Sequence, residues 1–199
     1  MLTQMVQKNE VSKLQEDLTT MINPTKKIKD LQAELEFADT FQNKVNLADA
    51  LLENGNYQQA TDHYRDALEG NFSNDVHVKI QLIRCHEALG NSDWIIDEAE
   101  SIKDHSEFLK SPYALYYGLA LDAAGRSQEA EPYLKRVDQR YSNYPQRVRL
   151  AAHYKDKNET SRAKEILEEI LSEAGTMGKE SRRLHRVAVN EAQKLLQSL

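Results

Sequence analysis

The sequence predicts an all-α protein, a right-handed superhelix (α-solenoid) of about four helical hairpins with flanking helices at both ends. Three observations carry this expectation. Only 7 of 199 residues are Gly and 4 are Pro, too few for an all-β chain full of tight turns, and the strong helix formers Leu, Ala, Glu, Gln and Lys dominate. Similar phrases recur: LLENGNY, HEALGNS and LDAAGRS place Gly55, Gly90 and Gly125 at steps of 35 residues, and YKDKNET brings Asn158 a further 33 on. Each phrase also lies between apolar stripes of helical spacing. Gly and Asn tolerate the left-handed conformation that ends a helix, so each unit reads as helix, tight turn, helix.

In chain order, residues 1–40 form an N-terminal arm or cap. Val11, Leu14, Leu18 and Met21 step by 3, 4 and 3 residues, as in an amphipathic helix that packs on the first hairpin or serves as a dimerising or membrane-proximal arm. After Asn23-Pro24, Ile28, Leu31 and Leu35 mark a further helix. The first hairpin, 41–74, has Leu47, Ala48 and Leu51 before its turn and Ala60, Tyr64 and Ala67 after it. Asn56 stands where it can cap the second helix, with Gln59 completing a capping box.

The second hairpin, 76–109, departs most. Leu82 and Ile83 lead to His86 in the third slot, and Ile95 and Ala99 exchange the expected small and large volumes, with Trp94 covering part of the gap. Overpacking at Ile95 would otherwise cost ~1–3 kcal/mol, so this helix is expected to be shifted. The third hairpin, 111–142, pairs Tyr117, Gly118 and Leu121 with Ala130, Leu134 and Val137, and Ser111 precedes Pro112 as a cap precedes a first helical residue. The fourth, 144–174, opens at Tyr144-Pro145 and pairs Leu150, Ala151 and Tyr154 with Ala163, Leu167 and Ile170. Small residues at Ala48, Gly118 and Ala151 let the paired helices approach. Gly175 and Gly178 then break the chain, and Leu184, Val187, Ala188, Ala192, Leu195 and Leu196 stripe one capping helix within 175–199, because a terminal hairpin would otherwise expose its apolar face.

This order of small and large residues around a turn, repeated four times, resembles the tetratricopeptide repeat, a ~34-residue helical hairpin. The stretch ADTFQNKVNLADALLENGNYQQATDHYRDALEG, with RRLHRVAVNEA near the end, is similar to a bacterial group of such proteins. That likeness implies a short hydrophobic membrane segment ahead of the repeats, so that this chain would be the soluble part of an anchored protein. The resemblance also implies a concave groove that binds a protein or peptide. Groove positions fall one residue before and two after the Leu-Ala pair: Asn46 and Asp49, Gln81 and Arg84, Tyr116 and Leu119, Arg149 and Ala152. Tyr and Arg are enriched at binding hot spots. Asp49 and Arg84 could instead pair with one another. The Lys and Asn clamp with which some family members hold a carboxylate tail is absent at Val45, Asp49, Gln81, Pro112 and Tyr116.

No catalytic constellation or cofactor motif is visible. The six histidines have no zincin spacing, there is no CxxC, and the glycine-rich phosphate and nucleophile motifs are missing. Cys85 and His86 are neighbours and point about 100° apart on a helix. The formal net charge of −6 disfavours nucleic acid, which needs clustered cations. The one candidate zone for RNA holds Arg136, Arg140, Arg147 and Arg149, with Arg182, Arg183 and Arg186 beyond. The expected protein is thus a non-enzymatic adaptor, without metal or cofactor, binding a protein segment. The alternative is a structural element that self-assembles, as a homodimer through its N-terminal helix or through charged ends. Residues 46–107 hold 13 acids and 4 bases, and residues 132–165 hold 4 acids and 9 bases. A single cysteine, the lack of a long apolar run and a polar N-terminus fit a cytoplasmic chain.

Overall fold

All four turns of the repeat have the same backbone geometry. Gly55, Gly90, Gly125 and Asn158 are left-handed, with φ of 80°, 73°, 80° and 62°. After each, an N–H reaches five residues back: Asn56 to Leu51, Asn91 to His86, Arg126 to Leu121 and Glu159 to Tyr154, at 2.8–2.9 Å. This is the bond by which a Schellman motif satisfies the last carbonyls of a helix. The computed structural model describes residues 23–199. The stripe Val11–Met21 lies outside them.

The described residues are all-helical, without a strand, and their helices pack in neighbouring pairs. In the first half, α1 (Pro24–Phe37), α2 (Phe41–Glu53), α3 (Tyr57–Ala67), α4 (Val76–Leu89) and α5 (Ser92–Glu100) follow one another. In the second half come α6 (Ser106–Lys110), α7 (Tyr113–Ala123), α8 (Ser127–Val137), α9 (Tyr144–Asp156), α10 (Thr160–Thr176), α11 (Lys179–Leu184) and α12 (Arg186–Gln197). Two compact units result, one ending at Ile102 and the other beginning at Lys103. The division falls within the span 76–109. No described helix is long and apolar enough to cross a membrane.

The first unit buries Leu47, Ala48, Leu51, Ala60, Tyr64, Val78, Leu82 and Cys85 in one cluster. Helix α1 lays Ile28, Leu31 and Leu35 against this cluster but buries none of its residues fully. Its C-terminal carbonyls at Glu34 and Ala38 accept the Asn43 amide. Helix α5, with 9 residues, is the shortest second helix of the four hairpins. Ile95 and Ala99 are both buried there, as an exchange of volumes requires. Trp94 does not fill the gap from within: it is 47% exposed, under the Arg65 guanidinium at 4.1 Å and stacked on His86 at 5.8 Å.

In the second unit, Gly118 explains the approach of α7 and α8. A Cβ there would meet Tyr133 Cβ at 2.8 Å and Leu134 Cδ2 at 3.0 Å. The short helix α6, which the sequence pattern had merged into the second hairpin, sends fully buried Phe108 edge-on to Tyr117.

Several local expectations are corrected. The Asn56 side chain makes no capping hydrogen bond, although α3 does begin at Tyr57. Ser111 accepts the Tyr113 N–H, but α7 begins after Pro112 rather than at it. Gly175 does not break the chain; α10 runs through it to Thr176, since a lone Gly costs a helix only about 1 kcal/mol. The C-terminal cap is two helices meeting at His185, and of its stripe only Ala188 and Ala192 are buried, with Leu184 and Val187 exposed.

Candidate functional site

The predicted groove residues divide four and four between the units. Asn46 and Asp49 stand on α2, and Gln81 and Arg84 on α4, all half-buried. Asn46 accepts a hydrogen bond from the Gln42 amide at 2.8 Å. Asp49 accepts the hydroxyl of Tyr64, a side chain with no exposed surface. Burial first, and then the Asp49 carboxylate, push the Tyr64 hydroxyl pKa well up. Asp49 therefore serves the core of its own hairpin, and no Asp49–Arg84 ion pair forms among the described residues. Gln81 keeps a buried Oε1 without a partner.

The other four lie in the second unit, where three of them meet. Tyr116 from α7 and Arg149 and Ala152 from α9 line one side of a cleft of about 600 Å³. Pro145 and Val148 extend this apolar side. The opposite side is α12, through Glu191, Lys194, Leu195 and Ser198. Leu119 is half-buried on α7 and does not line the cleft. Ala188 and Ala192 are small, so α12 packs closely on the unit. Lys155 donates to Ser198 at 2.8 Å, and the His185 ring lies 4.7 Å from that of Tyr144. These contacts fasten both ends of α12. The cleft is apolar at its base and carries Arg149 and Lys194 against Glu191, a net charge of one positive. The α12 wall was missed in the sequence because the groove was assigned to repeat positions alone. The stripe ending in Leu195 and Leu196 was its signal.

Two polar clusters flank α9. Asp122, at the end of α7, accepts hydrogen bonds from Ser127 Oγ at 2.5 Å, Lys157 Nζ at 2.7 Å and the His153 ring at 2.6 Å. Burial alone would raise its pKa, but these donors hold it well below the usual carboxylate range. Ser127 and His153 bond the same carboxylate rather than one another, so the group has no nucleophile beside a base. At the other end, Arg147 has no exposed surface and pairs with Asp138, Glu169 and Glu173. Burial works to raise the Glu173 pKa, and the Tyr141 N–H, the Tyr144 hydroxyl and Arg147 together bring it down. Arg147 is therefore sealed inside the helix pair, and Arg140 also pairs with Glu169 and Glu173. The cationic zone loses two of its arginines to this internal network. Among the described residues, no three His, Cys, Asp or Glu gather where they could hold a metal ion.

No family model matches the chain, and no curated protein matches it.

Proposed function

We propose that this protein is a non-enzymatic interaction module of tetratricopeptide-like hairpins that holds a segment of a partner protein. The observation that carries the reading is the second-unit cleft, where Tyr116, Arg149 and Ala152 converge beside α12. An apolar base, one aromatic ring and two cations at the rim suit an extended or helical segment with an apolar side chain next to an acidic one. The four turns of one geometry support the repeat reading, and their stacking into a right-handed superhelix is part of the same proposal.

The test is affinity capture from native cell extract. Wild type is compared with a Tyr116→Ala, Arg149→Glu variant whose helical content is checked by circular dichroism, and with Lys164→Ala as an off-cleft control. A protein retained by wild type and by Lys164→Ala but lost from the cleft variant is the expected outcome. Equal capture by all three would overturn the reading.

A second reading is self-assembly through charge. Residues 23–102 hold 15 acids and 7 bases, whereas residues 103–199 hold 14 acids and 17 bases. Opposite net charges of this kind favour contact between the first unit of one copy and the second unit of another, and a mass that rises with concentration at low salt would support it.

A further inference from the structure

A second cavity of the 103–199 unit shares no residue with the cleft and has a different chemistry. It has a volume of about 410 Å³, within the range of small-molecule sites. Its charged lining residues are Lys110, at the end of α6, and Arg136, in the last turn of α8. Among the described residues no acid lines it, and neither cation has an ion-pair partner. Three side-chain amides, from Gln139, Asn143 and Gln146, join the polar lining beside Ser111, and Tyr133 contributes an aromatic face. The contrast is with the cavity beside Asp122, where Lys135, Lys157 and Arg162 each pair with a carboxylate.

The wall that carries Gln139 and Asn143 is held in a costly backbone conformation. Tyr141 and Asn143 are both left-handed, with φ of 61° and 52°, a region Asn enters readily but a bulky Tyr enters only under constraint. The structure over-determines this loop. Glu173 accepts the Tyr141 N–H at 2.8 Å, the Asn143 amide donates to the Val137 carbonyl at 3.3 Å, and buried Arg147 ties Asp138 to Glu173. The cavity wall is thus preorganised by the buried ionic network, while its two cations remain available.

We propose that this cavity binds a small polar oxyanion, a phosphate ester or a polycarboxylate, with Lys110 and Arg136 neutralising its charge and the amides of Gln139, Asn143 and Gln146 taking its polar body. Paired cations without a competing acid select a multiply charged ligand over a neutral one. The site is separate from the Tyr116 cleft and does not depend on the function proposed for it.

The experiment is calorimetric titration of the full chain at low salt with two probes, glucose 6-phosphate and citrate. At least one is expected to bind. Binding should weaken by about tenfold or more in Lys110→Ala, Arg136→Ala, and stay unchanged in Arg149→Ala. Both replaced side chains are exposed, so the double variant keeps its fold, as circular dichroism would verify. The bound probe should also shift the side-chain amide resonances of Gln139, Asn143 and Gln146. Binding of one probe alone assigns the ligand to its class. The absence of binding by both at millimolar concentration, or equal binding by wild type and the double variant, overturns the site.

Discussion

Individual residues here are decided by what they touch rather than by where they fall in the repeat. His86 shows this best. It takes the third slot of the α4 stripe, is buried, and has neither ring nitrogen bonded. Burial first and the Arg65 charge second lower its pKa to about 4. The unfolded chain takes a proton near pH 6.5; the folded chain refuses it until about pH 4. Stability from this group therefore falls as pH drops from 6.5 towards 4, by about 2 kcal/mol at pH 4.5. His86→Phe retains a ring against Trp94 and removes the titration. Urea midpoints at pH 7.5 and 4.5 should separate further for wild type than for this variant, and equal separations would refute the account. Asp49 and Arg147 carry the same lesson. Their positions marked them as a groove residue and a nucleic-acid candidate, but Asp49 bonds Tyr64 and Arg147 is enclosed by three carboxylates. Spacing gives the face of a helix, while the partner reaching it from another element is a tertiary fact that spacing does not carry.

At the scale of elements, the sequence was most legible where one residue type answers one backbone need. Gly55, Gly90, Gly125 and Asn158 were found because a left-handed turn admits few residues. The small positions were legible for the same reason. At Gly118 an added methyl would sit 2.8 Å from Tyr133 Cβ, and that atom belongs to the stem of its side chain and moves only with its helix. Gly118→Ala should gain about 1 kcal/mol of helix propensity and lose about 1–3 kcal/mol to overpacking. A net loss of about 1 kcal/mol in chemical denaturation is expected, and a more stable variant would show that α7 and α8 can separate freely. Less legible were the breaks of the pattern. Helix α6 is five residues long, too short to show a period, and Phe108 is its one fully buried residue. Gly175 looked like a stop but sits inside α10, because the buried residues Glu173 and Ala174 and the Arg147 network hold that last turn to α9. In the loop 138–143, Asn143 is of a type that admits the left-handed region, but nothing in the composition calls for a left-handed Tyr141.

For the whole molecule, the consequence of the two compact units is that damage to one core should stay local. The first is built on Leu47, Leu51, Tyr64 and Leu82, and the second on Leu115, Leu121, Leu150 and Leu167, all nearly without exposed surface. The helices of each unit pack in neighbouring pairs, and sub-global opening follows compact units of this kind. Leu82→Ala removes a side chain with no exposed surface and should cost about 3–5 kcal/mol. Amide hydrogen exchange should then lose protection over α2 to α5, while α7 to α10 keep theirs. Because Tyr116, Arg149, Lys110 and Arg136 all belong to the second unit, the same variant should still capture a cleft-dependent partner and still bind the oxyanion probe. Equal loss of protection along the whole described chain would mean that the units open as one. In that case a variant in either core would silence both sites, and substitutions at the sites themselves would be needed to distinguish binding from folding.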